Sequence, residues 1–91
     1  MTTDTADQVM TEALDDLREY ADLRKQSYTI ANDVEAYVIA LKYDELTTAQ
    51  RKATRDKLSR AAQDLQLLTE DLLRAAEHLE ITTYRMRKEG L

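Results

Sequence analysis

The chain has no cysteine, proline, tryptophan or phenylalanine, and a single glycine at position 90. Without cysteine it can form neither a disulfide framework nor a thiolate metal site; this fits a reducing compartment and makes the cytoplasm the expected location. Without proline, and with its one glycine near the end, it lacks the residues that build tight turns. A sheet-based fold is therefore not expected, and a glycine-rich phosphate loop is excluded. Long hydrophobic runs are missing as well. The longest, residues 36–41, is far short of the roughly 18 apolar residues of a membrane span, so no membrane association is expected. Residues 1–7 are acidic and polar and read as neither a secretory signal nor a mitochondrial presequence. The net charge of −5 is modest. Its distribution is uneven: residues 1–46 hold eleven acids and four bases, whereas residues 47–91 hold seven acids and nine bases.

What is present is a heptad ladder, Leu58, Leu65, Leu72 and Leu79, continued by Met86. An apolar residue every seventh position marks one seam of a long helix that must pack against another helix. Helix boundaries follow from capping signals. Thr5 and Gln8 have the spacing of a capping box, and Thr47 and Gln50 repeat it. Arg85, Arg87 and Lys88 suit the negative end of a helix dipole, and Gly90 suits the left-handed residue that follows. The expected fold is all-α, a single domain over residues 1–91. It consists of an antiparallel hairpin with helices at about 5–43 and 48–88. A register pairing Val34 with Leu58, Ser27 with Leu65, Tyr20 with Leu72, Leu17 with Ala75, Ala13 with Leu79 and Met10 with Thr82 sets large residues against small ones. A shift of one adds Ile30 with Ala61 and Leu23 with Leu68. The weak point is residues 24–29, where the apolar stripe changes phase and a break into two shorter helices is the alternative.

A lone hairpin has one seam, and the apolar residues exceed it. Leu14, Ala21, Tyr28, Ala31, Val38 and Ile39 lie beside the stripe of the first helix, and Leu67, Leu73, Ile81 and Tyr84 lie off the leucine face. A small domain without disulfides or metals commonly solves this by oligomerising. The expected assembly is a homodimer of hairpins forming a four-helix bundle, with a helix of another protein as the competing occupant. The anchors expected at that interface are Tyr28, Val38, Ile39, Leu67, Leu73, Ile81 and Tyr84.

Chemistry is sparse. The one histidine, His78, has no partner fixed by sequence, and the Glu-x-x-His signature of di-iron bundles fails because position 75 is alanine. Glu12, Asp15, Asp16 and Glu19 share part of a helix surface, which reads as a solvated acidic face. No cofactor, metal or enzymatic activity is expected. The Trp-x-Gly signature of small secreted helical hairpins is absent too, since the chain has no tryptophan. Arg51, Lys52, Arg55, Lys57 and Arg60 form the densest basic cluster, and its place at a helix start opposes the dipole. The leading function is a non-enzymatic protein-interaction module: a small adaptor, an assembly or secretion chaperone, or an inhibitor of a larger machine. The alternative is a nucleic-acid-associated regulator using residues 51–60.

Overall fold

A computed structural model of the chain describes residues 3–90, with side chains from residue 5 onward. It shows two long α-helices packed against each other as a hairpin: α1, Thr3–Tyr43, and α2, Thr48–Lys88, with no strand among the described residues. The second helix begins and ends where its capping signals place it. The Thr47 backbone N–H donates to Gln50 Oε1 at 2.9 Å and the Gln50 N–H donates to Thr47 Oγ1 at 3.1 Å, so two donors at the helix start are satisfied reciprocally. Beyond the last turn Gly90 adopts φ 77°, and its N–H donates to the Arg87 carbonyl at 3.2 Å. The first helix starts at Thr3, ahead of the Thr5 expected to cap it, so Thr5 lies inside the first turn.

No break occurs at residues 24–29, and α1 is one helix through them. The burial pattern gives the reason. Half-buried or buried residues on α1 recur at Val9, Ala13, Asp16, Tyr20, Leu23, Ser27, Ile30, Val34, Tyr37 and Leu41, alternating steps of four and three. That is an unbroken heptad seam in which Ser27 keeps the phase. On α2 the ladder Leu58, Leu65, Leu72, Leu79 and Met86 is half-buried, and Ala61, Leu68, Ala75 and Thr82 fill the alternate seam positions. Threonines tolerate these helix interiors because their hydroxyls donate to the carbonyl four residues earlier, as at Thr11, Thr29, Thr54, Thr69 and Thr82.

The fold resolves into two compact units, Lys25–Thr69, and Met1–Arg24 with Glu70–Leu91. In the second of these, the Thr82 hydroxyl lies 2.6 Å from a carboxylate oxygen of Asp16, to which it donates, and Arg85 reaches Glu12 at 2.6 Å. These contacts correct the expected register. Thr82 meets Asp16 and not Met10, while Met10 and Leu17 are 43% and 50% exposed. The seam passes through Val9 and Asp16, which places Met10 and Leu17 one residue to the side of it. In the Lys25–Thr69 unit, Arg51 donates from its guanidinium to the Leu41 carbonyl at 3.1 Å. That carbonyl belongs to the last turn of α1, where carbonyls lack helical partners, so Arg51 caps the preceding helix.

Candidate interaction surface

Each seam position has a neighbour one residue before it and one residue after, and helical geometry sends these to opposite flanks. In the unit that joins the start of α1 to the end of α2, the two flanks differ in chemistry. On one, Met10, Leu14 and Leu17 follow the seam residues Val9, Ala13 and Asp16. With Ala13, Leu79, Thr83 and Met86 they line an open groove of about 400 Å³ without a charged side chain. On the other, Glu12 and Asp15 precede the seam and line a cleft of about 460 Å³ with Asp16, His78, Ile81 and Thr82. A further cleft on the charged flank is lined by Glu19, Leu23, Asp71, Arg74, Ala75 and His78.

The charged flank explains part of the uneven charge along the chain. Arg85 to Glu12 is an ion pair between helices, whereas Arg18 to Asp15 and Arg74 to Asp71 are pairs one turn apart within a helix. All are exposed or half-exposed and contribute about 0 to 1 kcal/mol each, so they bias partner choice without holding the hairpin together. His78 lines both charged clefts, and its carbonyl, 3.0 Å from the Thr82 hydroxyl, shares that hydroxyl's single proton with the nearer Asp16 carboxylate. Among the described residues no three histidine, cysteine or acidic side chains are grouped so as to hold a metal ion.

The seven residues expected as interface anchors are all exposed, from 47% at Val38 and Ile39 to 62% at Leu73 and Tyr84. They do not form one face. Leu73 follows the seam residue Leu72, whereas Leu67 and Ile81 precede Leu68 and Thr82, and Ile81 lines the charged cleft. In the Lys25–Thr69 unit, Tyr28 and Val38 follow Ser27 and Tyr37. The groove residues Met10, Leu14 and Leu17 are absent from the expected set. The signal that finds them is the step pattern through Val9, Asp16 and Leu23, which moves Leu17 off the seam and places an aspartate on it.

The basic cluster is dispersed among other duties. Arg51 caps α1, and Lys57 and Arg60 line a cleft with Ile30, Asp33, Tyr37, Ala61 and Asp64, so two acids stand beside the two bases. Lys52 and Arg55 are exposed. No helix is long and apolar enough to cross a membrane among the described residues. Comparison with protein-family models, with curated proteins and with solved structures finds no match for the chain.

Proposed function

We propose that this chain is a non-enzymatic protein-interaction module that acts by helix packing, as a small adaptor, an assembly or secretion chaperone or an inhibitor of a larger machine does, with the cytoplasm as its expected compartment. The carrying observation is the imbalance between what is buried and what is not. The buried apolar side chains among the described residues are Val9, Leu68 and Ala75. Met10, Leu14, Leu17, Tyr28, Val38, Ile39, Tyr43, Leu67, Leu73, Ile81 and Tyr84 are 43% to 70% exposed. Covering a large apolar side chain completely contributes about 1.5 to 3 kcal/mol, and patches of this kind mark association surfaces on soluble chains.

The experiment is affinity capture from the source cells with the wild-type chain and with a variant carrying Leu14→Asp and Leu73→Asp. Captured proteins are identified by mass spectrometry and rebuilt from purified components. Binding that survives reconstitution and is lost in the variant supports the reading. Binding that the variant retains shows that the exposed apolar residues are not the recognition surface and removes it.

A further inference from the structure

We infer that the groove lined by Met10, Leu14, Leu17, Leu79 and Met86 is covered by a second copy of this chain, in a two-fold arrangement. The inference rests on the interaction-module reading and names its partner. Area is the first argument. The chain exposes 7122 Å², whereas a folded chain of 10.5 kDa exposes about 5,400 Å² by the scaling of surface with mass. The excess, over the whole chain, is about 1,700 Å², roughly twice the ~800 Å² per partner that a stable dimer interface needs, so self-pairing does not require all of it to be covered.

The groove's own chemistry is the second argument. Its walls carry leucine, methionine, Ala13 and Thr83 with no charged side chain, so the patch is suited to a copy of itself. A two-fold axis through it satisfies the rule that such an interface uses the same patch on both partners. The charged residues nearest the groove, Glu80 and Arg87, follow the seam residues Leu79 and Met86 and lie outside its lining, at the rim. Glu12, Asp15, Asp16 and His78 line the cleft on the other flank and would remain in water when the grooves meet. Stability supplies the third argument. Among the described residues Val9, Leu68 and Ala75 are buried and the rest of the apolar seam is only half-buried, so a partner that covers further apolar surface adds to a core that offsets the conformational entropy of folding only in part. A second copy is the partner that the chain always brings with it.

The test is light scattering and sedimentation of the purified chain across micromolar concentrations. Three forms are compared: wild type, Leu14→Glu with Leu17→Glu, and Gln26→Glu with Gln63→Glu, which adds the same charge at exposed positions away from the groove walls. The expected result is twice the chain mass for wild type and for the pair outside the groove. For the groove pair, four charged side chains meeting at one interface raise the dissociation constant by about 1,000-fold or more. Because the groove pair can fail to fold, a second measurement uses Leu14→Cys. The natural chain has no cysteine, so alkylation reports position 14 alone. Its rate should rise on dilution as dimers separate, while Gln63→Cys, at an exposed polar position outside the groove, reacts at one rate throughout. A monomer at every concentration overturns the self-pairing and leaves the interaction reading to be decided by the reconstituted capture. A dimer that leaves position 14 unshielded overturns the groove.

Discussion

Thr82 is the buried polar residue of the described chain, 5% exposed, and its hydroxyl donates to Asp16 across the hairpin. A hydrogen bond to a carboxylate contributes about 1.5 to 3 kcal/mol net. Asp16 is half-buried, so water recovers part of that when the bond is lost, leaving about 1 to 2 kcal/mol. Thr82→Val keeps the shape of the side chain and replaces the hydroxyl by a methyl, whose burial returns up to about 0.8 kcal/mol. The single substitution therefore understates the bond, and a double-mutant cycle with Asp16→Ala isolates it. In the wild-type background Thr82→Val should destabilise; in the Asp16→Ala background it should be neutral or stabilising, because the hydroxyl has only the His78 carbonyl left to lose. A coupling of about 1 to 2 kcal/mol corresponds to melting shifts that differ by roughly 5 to 15 °C between the two backgrounds. The assay is thermal unfolding followed by helicity, at one fixed protein concentration, since self-association would make the midpoint concentration-dependent. Equal shifts for Thr82→Val in both backgrounds would refute the bond as a stabilising contact.

Thr47→Ala removes the hydroxyl that accepts from the Gln50 N–H and should cost about 1 kcal/mol, and Gln50→Ala in the same background should cost more again because it removes the side-chain acceptor of the residue-47 backbone N–H; no further loss in urea titrations would show that this second bond does not contribute. Arg51→Gln removes the guanidinium from the Leu41 carbonyl, so hydrogen exchange at the end of α1, including the Asp44 amide bonded to Ala40, should quicken several-fold while the centre of α1 is unchanged. Val9→Ala opens space at a side chain only 1% exposed and should cost about 1 to 2.5 kcal/mol. Its effect on exchange should fall within residues 3–24 and 70–90, and equal acceleration across 25–69 would contradict the division into two compact units. The bases at 51–60 are expected to give no nucleic-acid binding at low salt; binding that weakens steeply with salt and disappears on charge reversal at Arg51, Arg55 and Arg60 would reverse that assignment.

Much of the fold was legible because it is local. Thr47 and Gln50 cap each other three residues apart, Gly90 turns left-handed after a basic last turn, and the leucines at 58, 65, 72 and 79 repeat at the heptad. The weak point of the same logic is residues 24–29, where a serine on the seam looks like a change of phase and a break is the alternative to the continuous helix that forms. Ser27 is half-buried and in step with Leu23 and Ile30. The candidate surface was legible as an excess of apolar residues and not as a place. Leu17 and Met10 were expected on the seam because they are apolar, yet the seam holds Asp16, whose carboxylate is accommodated by a single hydroxyl from the facing helix.

The sequence by itself determined that there are two helices of equal length, where α2 begins and ends, and that each carries one heptad stripe, since hydrogen bonds and side-chain spacing within a helix depend only on near neighbours. The register of one helix against the other was decided by tertiary packing, and with it the flank on which each residue falls. A slip of one residue moves a side chain by about 100° around its helix while leaving the pattern of apolar residues almost as good. That is why Met10, Leu14 and Leu17 became a groove, why Ile81 fell among carboxylates, and why Arg51, unfavourable at the start of its own helix, is placed at the end of the other.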